Sequence, residues 1–332
     1  MHNTRRAKWL AVPIAGALVL AACGSDDDSG SDSTEAAGTE VAGTDAPDST
    51  DEMAEGEGEG VSLAGVCPDT VVIQTDWNPE AEHGWLYEMI GENPEISAGS
   101  GSVTGPLVTS GGAETGVQIE IRSGGPLIGF QTVTSQMDYF TQTGILAESQ
   151  VDGSYDGTPA GFLADQGESA QQGFGSAEPY VYQNEVADWE GKPVAYDYIN
   201  DAGWENYGES IAVRADALEE NSACLELLVP IIQQSSVDYV TDPAETNALI
   251  IEAVNAFDNG WVYNEDVAAY AVDTMKADGL LGNGPDGTIG NFDLDRVTGL
   301  IALAIPVYES LGQTPKEGLT AEDVVTNQFI DE

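Results

Sequence analysis

In the stretch TDWNPEAEHGWLYEM, residues 75 to 89, two tryptophans, a tyrosine and a histidine fall within fifteen positions. The only other histidine of the chain is His2. An indole offers a broad apolar face with one N–H donor, and a neutral imidazole offers one donor and one acceptor. At the rim of a sheet, Trp77, Asn78 and His83 would suit a small, flat, polar molecule. This reads as a ligand pocket and not as a catalytic centre. His83 is either a ligand contact or a structural hydrogen-bonding residue, whereas Trp77 is expected to be exposed by its turn.

A second set lies further on. Gly124, Gly125, Pro126, Phe130, Gln131, Thr132 and Thr134 follow the second strand-like run and supply small, amide and hydroxyl groups. Glu178, in GSAEPY, reads as a ligand acceptor, with a solvated hinge charge as the alternative. Catalytic and metal signatures are missing from the sequence. It has no D-x-D-x-D-G loop, no G-x-S-x-G elbow and no P-loop Lys-Ser/Thr. GNGPDGTIGNF, residues 282 to 292, is glycine-rich but follows a helical pattern, so it reads as a loop. The expectation is binding without turnover, with no cofactor and no metal.

The positioning elements are of α/β type. TVVIQT (70–75) is a short β-branched run of the kind found in a buried parallel strand. Asn78 is placed as an N-cap and Pro79 as the first helical residue, with Glu80 and Glu82 in the first turn. Trp85 with Met89 and Leu86 with Ile90 give the packed face of that helix. VQIEI (117–121) repeats the strand, RSGGP turns, and LIGFQTVTSQM leads towards a helix. Thr158 and Pro159 resemble a cap and first turn. PVAYDYI (193–199) and ESIAVR (209–214) have strand character. From there the chain is helical, with Pro230 as a kink or restart and Asp242–Pro243 opening a further helix. Two strand–turn–helix units argue for a parallel sheet. Trp85, Met89 and Trp261 are assigned to the core.

The N-terminus carries targeting information. Arg5, Arg6 and Lys8 precede WLAVPIAGALVLAA, which is apolar but short for a membrane span, and LAAC ends at Cys23. The adjacent arginines would also suit twin-arginine export. Residues 24 to 64 hold thirteen acids and neither Lys nor Arg, so they read as a disordered acidic tether. As a flexible coil its 41 residues would span roughly 35 Å.

The chain has 332 residues and a net charge of −49. Beyond residue 64 there remain 45 acids against six bases: Arg122, Lys192, Arg214, Lys276, Arg296 and Lys316. That balance excludes nucleic acid as a partner, since phosphate binding needs clustered cations. It also favours a neutral or cationic ligand over an anionic one. With Cys23 set apart as the end of the signal segment, Cys67 and Cys224 form an even pair in an exported chain, which predicts a disulfide.

The lipobox-like LAAC, the acidic tether, DWNPEAEHG, SGGPLIGFQT, QGFGSAEPY and TNQFID together resemble the solute-binding lipoproteins of bacterial ABC importers. They are most similar to the group for thiamine-pyrimidine precursors, riboflavin, nitrate, sulfonates and taurine. The resemblance runs from about residue 66 to 332. It implies a type II periplasmic-binding-protein fold, with two α/β lobes closing on the ligand. It implies diacylation of Cys23 and anchoring to the outer face of the cell membrane. A monomer would deliver its solute to a permease driven by a separate ATPase. It places ligand contacts at Trp77, in the segment after the second strand, and in AEPY, including Glu178 and Tyr180.

One departure stands out. TSQM runs directly into DYFTQTGIL, where members of the group usually have a third strand, a crossover and the first strand of the second lobe. Set against those members, roughly a quarter of the usual two-lobe chain is missing near residue 137, and residues 138 to 192 are thin for a whole lobe by domain-size norms. Either the lobe is naturally reduced or the chain carries an internal deletion. The organisation expected is a signal segment at 1–23, a tether at 24–64, lobe I from 65–137 and 200–332 with C-terminal helices, and a reduced lobe II at 138–199. The expected ligand is a heterocycle such as a thiamine-pyrimidine precursor or a riboflavin-like compound. The alternatives are nitrate- or sulfonate-type anions, a pyrimidine-synthase-like enzyme of the same fold, and a lipid-anchored adaptor without ligand.

Overall fold

A computed structural model of the chain describes residues 60–124, 134–153, 158–284 and 286–331. The signal segment, Cys23, residues 24–59 of the expected tether, and the candidates Gly125, Pro126, Phe130, Gln131 and Thr132 lie outside them.

The fold is mixed α/β. Four strands, β1 (Thr70–Gln74), β2 (Glu95–Ser97), β3 (Ser102–Val108) and β4 (Glu114–Arg122), form one sheet in the order β1-β4-β3-β2. Only β1 and β4 run parallel, with Val72 opposite Glu120; β4–β3 and β3–β2 are antiparallel. The expected parallel sheet is therefore corrected to a mixed one. Strand β3, SVTGPLV, has no counterpart among the strands expected from sequence, because glycine and proline disfavour strands. Pro106 is accommodated beside a register shift between Pro106 and Val108, where the regular ladder is interrupted.

Strand β4 alternates cleanly. Val117, Ile119 and Ile121 are buried, while Gln118 and Arg122 face solvent. One face of the sheet packs on helices and the other meets water, as antiparallel pairing permits. The expectation that β1 is buried on both faces fails at Val72, which is 45% exposed. Fully burying an isoleucine such as Ile119 or Ile121 contributes about 1.5–3 kcal/mol.

After β1 comes a turn, a single 3-10 turn at Ala81–His83 and the four-residue helix α1 (Gly84–Tyr87). This is far shorter than the helix expected, and Asn78 is not its cap. Instead Asn78 is buried and accepts a hydrogen bond from Asn259 Nδ2 at 2.6 Å. Gly84 must be glycine, because a Cβ there would lie 2.1 Å from the ring of buried Tyr239.

The remaining helices are α2 (Thr134–Gln142), α3 (Ala160–Ala164), α4 (Glu178–Asn184), α5 (Leu218–Thr241), α6 (Ala244–Phe257), α7 (Glu265–Ala277) and α8 (Leu294–Ser310). Helix α5 runs through Pro230 without a restart. Asn264 caps α7 and Asp293 caps α8, each accepting two backbone N–H bonds. The main core joins the sheet to α1, α5, α6 and α7 and holds Trp85 and Met89, with Trp261 packed against it. Leu63, near the end of the stretch read as tether, is buried in it, and its N–H donates to Thr115 O. A smaller cluster gathers Tyr139, Phe140, Trp204 and Val307. The disulfide Cys67–Cys224 is present and ties the segment before β1 to α5.

Residues 193–199 and 209–214 are not strands. A strand needs a ladder partner, and among the described residues none pairs with them. Their apolar side chains Tyr196, Ile199, Ile211 and Val213 stay exposed. Among the described residues, no helix is long and apolar enough to cross a membrane.

Candidate functional site

The site forms where β1 ends beside β4. Thr75 N–H donates to Arg122 O, and Gly124 N–H donates to Trp77 O at 2.8 Å. Gly124 permits this approach, since a Cβ would fall 2.3 Å from the Asp76 carbonyl. The crossing fixes the turn that carries Asp76, Trp77 and Asn78.

His83 is 1% exposed. Its Nε2 lies 3.0 Å from Asp76 Oδ1, donating to the carboxylate, and 3.6 Å from Glu209 Oε2. Burial works against a charged ring. The Asp76 hydrogen bond and the charges of Glu209, Asp76 and Glu82 outweigh it and raise the His83 pKa. The same hydrogen bond holds Asp76 below its ordinary value. Glu209, its carboxyl tucked against the cluster and its edge open to water, is pushed up to about 7 by burial, with His83 opposing.

Two further acids complete the surroundings. Glu80 is 2% exposed, its Oε2 has no hydrogen-bond partner, and burial together with Glu82, Glu178, Asp76 and Glu209 raises its pKa well above normal. Glu178 opens α4, accepts from Phe174 N–H at 2.6 Å and is pushed up to about 7, chiefly by burial. The segment before α4 is held by Ser176 Oγ, which donates to Glu82, and by Tyr270 OH, which donates to Gly175 O. On the other side Ala81 N–H donates to Tyr263 OH, and the Trp77 and Trp261 rings meet edge to face at 5.9 Å.

The structure thus places Trp77 and Asn78 on the turn after β1 and His83 in the 3-10 turn that follows, with Glu178 close enough to perturb Glu80. Tyr180 stacks on Tyr270 of α7 instead, with ring centroids 5.1 Å apart. Trp77 is half-buried, not fully displayed. Sequence reasoning passes over Asp76 and Glu209 and treats Glu80 and Glu82 as helix-dipole partners. Three acids within DWNPEAEH are the available signal; Glu209 has none, because its segment imitates a strand.

None of the six bases serves the site. Arg122 pairs with Glu120 at 2.7 Å, Arg214 with Asp216, and Lys316 with Asp323. Lys192 lies over Trp189, Arg296 over Tyr207, and Lys276 is exposed in the last turn of α7. Among the described residues, the charged groups with the largest influence on Asp76, Glu80, His83, Glu178 and Glu209 are carboxylates and His83. Such a cluster attracts cations and repels anions. No family model, curated protein or solved structure matches this chain.

Proposed function

We propose that the protein is the lipid-anchored, extracytoplasmic solute-binding component of an ABC importer, taking a cationic or neutral nitrogen heterocycle. The observation carrying this reading is the pairing of an indole face, Trp77 against Trp261, with a ring of carboxylates around His83 that no base neutralises. A protonated aminopyrimidine would stack on Trp77 and leave its positive edge among the acids. Nitrate or a sulfonate would meet only repulsion there. A pyrimidine-synthase-like reaction would need a lysine near His83, and Lys192, Lys276 and Lys316 lie elsewhere.

The architecture proposed is a two-lobe binding-protein fold with the second lobe reduced. Its support is the pair of segments, 193–199 and 209–214, that have strand composition, keep apolar side chains exposed and find no strand partner among the described residues. The partner proposed is a membrane permease.

A thermal-shift panel tests the ligand class. Aminopyrimidines and riboflavin are expected to raise the melting midpoint, with taurine and nitrate silent. A response confined to taurine or nitrate overturns the proposal.

A further inference from the structure

We propose that Asp76 Oδ1, His83 Nε2 and Glu209 Oε2 are the protein ligands of a divalent transition-metal ion. The ion would occupy the acidic part of the proposed ligand site, and its test reads metal binding with no heterocycle present, so it can fail or succeed independently of the import reading.

The geometry carries the argument. The three atoms lie within 4.8 Å of one another, with His83–Asp76 at 3.0 Å and His83–Glu209 at 3.6 Å. For metal bonds of about 2.0–2.2 Å, neighbouring ligand atoms in a tetrahedral shell stand roughly 3.4 Å apart. The observed separations bracket that spacing, so small side-chain rotations suffice to close the shell. Asp76 sits on the turn after β1 that Gly124 and β4 hold in place, and His83 ends the 3-10 turn that follows. Glu209 comes from a segment distant along the chain.

A second observation points the same way. Glu80 is 2% exposed, and its Oε2 lacks a hydrogen-bond partner while it sits in the fields of Asp76, Glu82, Glu178 and Glu209. A buried carboxyl among carboxylates stays neutral by holding a proton, and a nearby cation lets it ionise instead. Among the described residues no Lys or Arg is placed to do so, as the pairings above show, and a divalent ion at the three-ligand site would. Asp76 and Glu209 both reach solvent, so an ion has an entry path and keeps one or more water ligands. One imidazole with two carboxylates suits Zn²⁺, Mn²⁺ or Co²⁺, whereas Ca²⁺ and Mg²⁺ prefer an all-oxygen shell.

The test is calorimetric titration of the EDTA-treated full chain with Zn²⁺, Mn²⁺ and Ca²⁺, alongside absorbance on adding Co²⁺. One equivalent of Zn²⁺ or Mn²⁺ is expected to bind, Ca²⁺ more weakly, and Co²⁺ to give ligand-field bands of a low-symmetry site. Glu209→Gln, which changes only a solvent-reached group, should cut affinity tenfold or more, and His83→Gln further. The exposed-strand control Glu95→Gln should leave it unchanged. Absence of a stoichiometric event overturns the proposal. So does binding that Glu209→Gln and Glu95→Gln weaken equally, which would mark diffuse attraction to an acidic surface. Folding of each variant is checked by its cooperative melting; should His83→Gln misfold, the comparison of Glu209→Gln with Glu95→Gln decides by itself.

Discussion

Replacing Cys67 and Cys224 together by alanine will lower the unfolding free energy by about 4–5 kcal/mol in the chain-entropy account. The bond closes a loop with a sequence separation of 157 and ties the entry to β1 to the longest helix, α5. Without it, the unfolded chain regains the freedom of that whole loop. The folded state also loses the clamp that presses α5 on α1. There Ser235 Oγ donates to Trp85 O at 2.9 Å, and Tyr239 fills the space beside Gly84. Urea denaturation of the oxidised protein and of the double variant measures the difference. A loss below about 1 kcal/mol would mean that the unfolded ensemble is already held compact by other contacts.

Stability will also peak near pH 5 and fall towards pH 7, unlike that of proteins whose carboxylates are salt-bridged. Glu178 has its pKa raised from 4.5 to about 7 by burial. The folded state therefore binds more protons than the unfolded one between those values, and stability declines as pH rises through that window. For a mostly buried carboxyl, the shift corresponds to about 3 kcal/mol. Glu80, raised in the same sense, adds to the decline. His83, also raised, contributes stability present below its unfolded value of 6.5 that is lost through its higher folded value. Asp76, held below 3.8, works on the other flank: its contribution is lost as pH falls through its folded value. Melting midpoints from pH 4 to 8 in one ionic strength give the profile. Glu178→Gln should flatten the descending limb. A midpoint rising steadily from pH 5 to 7.5 would refute the account.

Much of the scaffold is legible in the sequence because it rests on local signals. The helical run of the C-terminal half, the helix opened at Asp242–Pro243 and the strand in VQIEI are all readable in this way. The Cys67–Cys224 pair follows from counting. The misreadings have physical reasons. Strand β3 carries Gly105 and Pro106, whose intrinsic preferences oppose a strand, and only its place between β2 and β4 overrides them. Residues 193–199 and 209–214 have strand composition without a neighbour to bond. The helix expected from Asn78 onward is halted by tertiary demands: Asn78 turns inward to Asn259, and Tyr263 takes the Ala81 N–H. At the site, Trp77, Asn78, His83 and Glu178 are visible as residue types in a suggestive pattern. Glu209 and the buried state of Glu80 belong to long-range packing, which no local pattern encodes.

Trp77 carries the central claim, that the aromatic and acidic groups around His83 receive a ring-shaped ligand. Its most direct test is a fluorescence titration of the wild type and of Trp77→Ala with an aminopyrimidine. The account predicts saturable quenching in the wild type and an affinity at least tenfold weaker in the variant, about 1.4 kcal/mol of stacking. Equal affinity in the two proteins would contradict it.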